Sequence, residues 1–195
     1  MNETMGNQQV TQLDLVWLAA MWDAEGYFSM RRCVLKNGPQ YSPRLGLVNS
    51  DTNILSKARS IADALGISYY FVERGPGSFP GSKKQVWHIE IGTMVNAIRL
   101  IDAVRPYLVA KGFQADCIAE YCNRRLAVMA DRHSKTNGQK KYAERDFELV
   151  RQVFDANGNR RGTSETVRQD AQKAMSQSEL SRDGKTWSEK AMRYY

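Results

Sequence analysis

Apolar positions along the chain follow two rhythms, one near 3.6 residues and one of 2. Leu15, Leu18, Ala19 and Trp22 recur at helical spacing and predict a first helix. Thr11 supplies an N-cap, Asp14 an acidic first turn, and the helix runs to about Ala24. From residue 27 to 35 the period shortens. Phe28, Met30 and Val34 take one face while Ser29, Arg31 and Cys33 take the other, which is the pattern of a strand. Asn37-Gly38-Pro39 signals a turn. Residues 41–48 read as the returning strand, with Leu45 and Leu47 inward and Arg44, Gly46 and Val48 outward. Asp51 or Thr52 caps a second helix whose stripe of Ile54, Leu55, Ala58, Ile61, Ala62 and Leu65 closes at Gly66. The rhythm then repeats: a strand over 67–74, a Gly/Pro-rich loop over 75–81, a strand over 83–92 and a helix over 94–104, broken by Pro106. Helical periodicity returns over 114–129, over 142–156 and from 164 to about 175.

Helix, two strands, helix, two strands, helix predicts an α+β fold. Two hairpins alternating with helices fit an antiparallel sheet covered on a single face, with C-terminal helices appended. The organisation expected is a flexible N-terminus (1–10), a core domain (11–130), appended helices (131–180) and a tail (181–195). Outward positions on the four strands are Ser29, Arg31, Cys33, Arg44, Gly46, Val48, Tyr70, Val72, Arg74, Lys84, His88 and Glu90. Arg, Lys, Ser, Tyr and His together can bond to base edges as well as phosphates, although an ordinary solvated sheet face has much the same composition. A ten-residue strand at about 3.3 Å per residue spans about 33 Å. That length matches roughly ten base pairs at about 3.4 Å each.

Composition sharpens this picture. The 195 residues carry 28 Lys plus Arg against 21 Asp plus Glu, a formal charge of +7, which favours a polyanionic partner. No apolar run is long enough to span a bilayer, and the polar first ten residues do not form a secretory signal, so an intracellular setting without membrane contact is expected. Cys33, Cys117 and Cys122 form no Cys-x-x-Cys pair and read as reduced thiols. With His88 and His133 as the only histidines, a His-based metal site or triad has little to work with.

One stretch adds chemistry to the pattern. Leu18-Ala19-Ala20-Met21-Trp22-Asp23-Ala24-Glu25-Gly26 combines residues small enough for two helices to approach closely with an acid at the helix end. It resembles the LAGLIDADG motif of homing endonucleases, matching it at Leu18, Ala19, Asp23, Ala24 and Gly26. The resemblance implies the αββαββα fold with a saddle-shaped sheet, and a site-specific enzyme cleaving double-stranded DNA at a long, pseudo-palindromic target. It also implies a Mg²⁺ cofactor, or Mn²⁺ or Ca²⁺ at the same site, held by the Glu25 carboxylate and the Ala24 carbonyl. Such an enzyme would be encoded in a mobile intron and work in the cytoplasm or an organelle of the host.

A single motif implies a homodimer, with first helices crossing near Ala19 and Ala20 and an interface of Trp17, Leu18, Ala19, Ala20, Trp22 and Asp23. Two-fold symmetry would set one Glu25 beside its mate, and paired carboxylates raise one another's pKa unless a cation lies between them. Residues 150–158 end in Asp155-Ala156-Asn157-Gly158 but are no second copy. Arg151 and Gln152 occupy positions where close crossing needs small residues, and Asn157 has no charge for a metal. Residues 105–115 resemble a segment of the homodimeric branch in which a lysine, here Lys111, lies near the scissile phosphate. Residues 163–168 resemble a stretch near the C-terminus of the same branch. Family members also use a polar residue, often glutamine, at the end of the second strand; Asn49 is the match, with Ser50 the alternative. Two rivals keep the fold: an intron maturase acting on RNA, and a DNA-binding regulator without catalysis.

Overall fold

Thr11 starts the first helix by a reciprocal exchange. The Asp14 N–H donates to Thr11 Oγ1 at 3.2 Å, and the Thr11 N–H and hydroxyl donate to the Asp14 carboxylate at 3.2 and 2.7 Å. A computed structural model describes residues 9–35, 38–77, 83–130, 142–158 and 163–182. Their elements are α1 (Gln12–Glu25), β1 (Gly26–Leu35), β2 (Gly38–Asn49), α2 (Thr52–Ala64), β3 (Tyr70–Arg74), β4 (Val86–Ile91) and α3 (Met94–Val104). A 3-10 turn at Arg105–Tyr107, where Pro106 was expected to break the chain, leads to α4 (Gly112–Ala130), α5 (Glu144–Ala156) and α6 (Thr163–Arg182). The order and type of every element agree with the periodicity of the sequence.

The four strands form one antiparallel sheet in the order β1-β2-β4-β3. Leu35 pairs with Gly38, so β1 and β2 are joined by two residues, 36 and 37, which lie outside the described set together with part of the expected Asn37-Gly38-Pro39 turn. β3 is shorter than the expected 67–74. Ile67, read as its first residue, instead finishes α2. Its N–H donates to Ala62 O at 2.9 Å across Gly66, whose φ of 64° reverses the chain there. That is the helix-ending arrangement in which an apolar residue after the glycine seals the last turn.

Alternation along the strands sends Phe28, Met30, Tyr41, Leu45, Leu47, Ile89 and Ile91 to one face, all of them buried. They pack under Leu18, Ala19 and Trp22 of α1, Leu55, Ala58, Ile61 and Ala62 of α2, and Ala97, Leu100, Ile101 and Val104 of α3. Burying each such large side chain contributes about 1.5–3 kcal/mol over leaving it in water. The other face of the sheet presents Ser29, Arg31, Arg44, Tyr70, Arg74 and Glu90, with Val48 and Val72 between them.

The C-terminal helices are tied to the core by polar anchors. Asp170 of α6 accepts from Arg32 Nε at 2.7 Å and Nη2 at 2.9 Å, and from the Tyr41 hydroxyl. Asn157, at the end of α5, donates to Phe28 O at 2.8 Å. Gly158 follows with φ 79°, so the Asn-Gly pair is a helix end, as the sequence reads. Cys33, Cys117 and Cys122 are free thiols, and burial pushes Cys122 up to about 12. Among the described residues no helix is long and apolar enough to cross a membrane.

Candidate nucleic-acid interface and metal site

Glu25 is the last residue of α1 and Gly26 the first of β1, so the acid sits where the helix meets the sheet, exposed beside an exposed Ala24. Gly26 is required there for space. Its φ of −89° suits any residue, but a Cβ would fall 2.8 Å from Trp22 Cδ1 and 2.8 Å from Trp22 O. The bulky Trp22, seated in the core with its Nε1 buried and unpartnered, therefore dictates the glycine that follows the acid.

The end of α1 is held by a reciprocal clasp with the loop ahead of α4. The Asp23 carboxylate accepts the N–H groups of Val109 at 2.6 Å, Ala110 at 3.2 Å and Lys111 at 2.9 Å. In return, Lys111 Nζ donates to the carbonyls of Trp22 at 2.9 Å, Asp23 at 2.6 Å and Gly26 at 2.7 Å. Burial lowers the Asp23 ionisation less than those three N–H donors favour it, so its pKa lies below the ordinary value. Burial draws the Lys111 pKa down, against the opposing charges of Asp23 and Glu25. An ammonium has three N–H donors, and here all three are committed. Lys111 is thus adjacent to the acid, as the resemblance implies, but in this arrangement it holds helix carbonyls and presents no donor to a phosphate. Asn49, the expected polar partner, also has another engagement: its side-chain oxygen accepts the Asp51 N–H at 2.8 Å, shaping the entry to α2.

The expected dimer face needs correction. Leu18, Ala19 and Trp22 are 0–1% exposed within the single chain, so they have no surface to offer a second copy. At 3.6 residues per turn each residue advances about 100°, and the nine-residue motif wraps all the way round the helix. The outward stripe runs through Leu13 (79% exposed), Val16 (42%), Ala20 and Ala24, with Trp17 at its border. Val109, bonded to Asp23, is 92% exposed and extends this apolar surface at the acidic end. Asp23 is committed to its own chain's loop.

All the expected outward positions except Lys84, which precedes β4, lie in the paired strands and share the open face by register. Ser29 lies opposite Arg44, Arg31 opposite Ser42 and Cys33 opposite Gln40. Gly46 and Tyr70 flank Glu90, and Val48 and Val72 flank His88. Arg74 pairs with Val86, and Lys84 lies just ahead of β4. Not all of these residues reach solvent. His88 is only 3% exposed, roofed by a residue that sequence reasoning left out, Tyr27. The Tyr27 hydroxyl lies 2.8 Å from His88 Nε2 and donates to Glu90 Oε2 at 3.0 Å. A hydroxyl has one proton, so His88 Nε2 carries the hydrogen of the first bond and His88 is the Nε2–H tautomer. Arg44 completes the group, donating from Nε at 2.9 Å to the same Glu90 oxygen, with its guanidinium 5.5 Å from the Tyr27 ring centre. Burial, opposed first by the charge of Glu90, holds His88 below its usual pKa. Burial raises Glu90, but the bonds from Arg44 and Tyr27 outweigh it and leave that carboxylate lowered. Tyr27 shares parity with Ser29 and Arg31, which was the available signal; its contact with His88 depends on the pairing of three strands.

Neither the protein-family models nor the curated proteins give a match to this chain. Solved structures do. The archaeal intron-encoded homing endonuclease I-Vdi141I, complexed with DNA, superposes with a TM-score of 0.60 at 18% identity over 83% of this chain and 96% of that one. The homing endonuclease I-CvuI, in complex with its target in the presence of calcium, gives 0.58 at 18% identity over 84% and 95%. The group I intron-encoded homing endonuclease I-CeuI, complexed with DNA, gives 0.53 at 13% identity over 74% and 68%. The fold is the α+β homing-endonuclease fold, the one implied by the motif at residues 18–26.

Proposed function

We propose that the chain is a homodimeric, site-specific endonuclease that cleaves double-stranded DNA with the help of a hard divalent cation. One observation carries this reading: among the described residues an exposed apolar stripe on α1 leads directly to an exposed carboxylate, Glu25, at the border of a polar, arginine-bearing sheet face. Two copies joined along Leu13, Val16, Ala20 and Ala24 would bring two Glu25 carboxylates together about a two-fold axis. The same symmetry sets two sheets end to end, each long enough for about ten base pairs.

The donor set suits the cation. Glu25 offers a carboxylate and Ala24 a carbonyl, both oxygen, as Mg²⁺ or Ca²⁺ prefers. No group of three His, Cys, Asp or Glu gathers among the described residues of one chain, so the ligand set calls for a second copy. Bound there, the cation would activate water and neutralise charge on the scissile phosphate. The chain's own residues orient the donors. Lys111 takes the carbonyls of residues 22, 23 and 26 but not that of Ala24, and so fixes the helix end from behind while the Ala24–Glu25 side faces out.

The test is cleavage of the intron-lacking allele of the host by purified protein, with and without Mg²⁺. Wild type should cut, and Glu25→Gln should bind the same duplex while cutting at least a hundredfold more slowly. Undiminished cutting by the variant removes Glu25 from the chemistry. Binding of the intron RNA with no DNA cleavage would replace the nuclease with a maturase, and DNA binding without cleavage in Mg²⁺ would leave a regulator.

A further inference from the structure

The open sheet face carries several cations, but they are not held alike. Arg31 and Arg74 are exposed, whereas the Arg44 guanidinium is fixed in place. Glu90 Oε2 accepts from its Nε at 2.9 Å and lies 2.8 Å from its Nη2, and the Tyr27 ring lies 5.5 Å away. Glu90 is itself fixed, because the Tyr27 hydroxyl donates to the same oxygen and His88 bonds that hydroxyl. Gly46 makes the group possible. A Cβ there would fall 2.5 Å from Tyr27 Cζ and 2.6 Å from His88 Nε2, so only glycine lets side chains from β1 and β4 meet over β2. Three strands thus contribute to holding one arginine, whose side chain remains 45% exposed.

A carboxylate on this face would repel DNA if left open. Here it is covered by Arg44 and Tyr27 and 21% exposed. Its effect is to take the Nε–Nη2 side of the guanidinium, so that the end-on edge, made by Nη1 and the second Nη2 hydrogen, is the one that can meet a partner. Two parallel N–H donors on that edge match the O6 and N7 acceptors of guanine in the major groove. A guanidinium already held in one orientation loses little conformational freedom on making that contact. An arginine meant only for a phosphate needs no such support.

We propose that Arg44, buttressed by Glu90 and Tyr27 across Gly46, reads a guanine base edge in each half of the DNA site. This rests on the DNA-binding reading above and makes it specific. The position follows from register. Arg44 lies opposite Ser29, four residues beyond Glu25, and four residues at about 3.3 Å cover about 13 Å. At about 3.4 Å per base pair that places the guanine about four base pairs from the dyad.

The experiment is selection of bound duplexes from a randomised library, in Ca²⁺, with the full-length chain and its variants. Wild type should enrich duplexes with a G·C pair at two symmetry-related positions about four base pairs from the centre. Arg44→Lys keeps the charge but cannot form the bidentate contact; it should lower the preference for guanine at those two positions by about 5- to 150-fold, leaving other positions unchanged. Glu90→Gln removes the carboxylate charge and leaves Arg44 in place; it should weaken the same preference, and no other, by a smaller factor. Equal weakening on all sequences by Arg44→Lys would mark a phosphate contact and overturn the proposal. So would a Glu90→Gln profile identical to wild type. If wild type enriches no duplex, the DNA-binding reading itself falls, whereas a failed base preference among enriched duplexes refutes the Arg44 assignment alone.

Discussion

Gly46 lets a tyrosine and a histidine from strands on either side of β2 touch, so its smallest possible substitution is informative. Gly46→Ala puts a methyl group 2.5 Å from Tyr27 Cζ and 2.6 Å from His88 Nε2. Overpacking of this kind costs about 1–3 kcal/mol, read as a lower urea midpoint. In a Tyr27→Ala background the same substitution should cost less than in wild type, because the two share a contact. A Gly46→Ala protein with the wild-type midpoint would mean the strands do not approach this closely. At this scale the sequence was partly legible. The acid at position 25, the lysine at 111 and the open-face parity of Arg44, His88 and Glu90 all follow from motif and alternation. Tyr27 over His88 did not, since that contact depends on which residues of β1, β2 and β4 stand side by side. Nor did the engagement of Lys111, because its acceptors are backbone atoms some 85–89 residues away in the chain.

The first helix shows what a motif leaves out. Its residues and limits were readable, yet the expected interface mixed the core-facing Leu18, Ala19 and Trp22 with the outward-facing Ala20. Spacing fixes the phase of a helix only once it is known which stripe the sheet takes. Here Leu18, Ala19 and Trp22 follow the core, and Leu13, Val16, Ala20 and Ala24 follow the outside. The two groups should respond differently to charge. If the dimer proposed above forms along this stripe, wild type should sediment at twice the chain mass of 22.2 kDa and Ala20→Arg at that mass alone, with wild-type helix content. Leu18→Arg places an unpaired charge in a closed core and should fail to fold, a loss of more than about 4 kcal/mol. An Ala20→Arg protein that still dimerises would assign the interface to another element. β3 carries the same lesson on a smaller scale: Ile67 looked like strand because it is apolar, but the turn at Gly66 gives it to α2.

For the whole molecule, the buried polar group on the sheet makes acid a specific stress. His88 on β4 faces Glu90 on its own strand, Tyr27 of β1, Arg44 of β2 and Arg74 of β3. Its folded pKa lies below the ordinary 6.5, chiefly because burial penalises the charged ring. The unfolded chain therefore binds the extra proton first, and stability must fall as pH drops below 6.5. Glu90, with a folded pKa below 4.5, adds a second loss in the same direction as pH falls through that value. Unfolding midpoints measured from pH 8 to pH 4 should decline from about 6.5 downward, and His88→Gln should delay the onset until carboxylates titrate. A flat profile across pH 6.5 to 5 would mean that His88 is not sealed beneath Tyr27.

The clasp between Asp23 and residues 109–111 carries an evolutionary corollary. Val109 and Ala110 enter it only through amide hydrogens, which any residue except proline supplies, so the clasp itself makes no demand on their side chains. Asp23 and Lys111 each grip the other segment's main chain and must be inherited as a couple. Among descendants of this gene, loss of one should be followed by loss of the other, whereas changes at 109 and 110, proline aside, should leave the clasp intact.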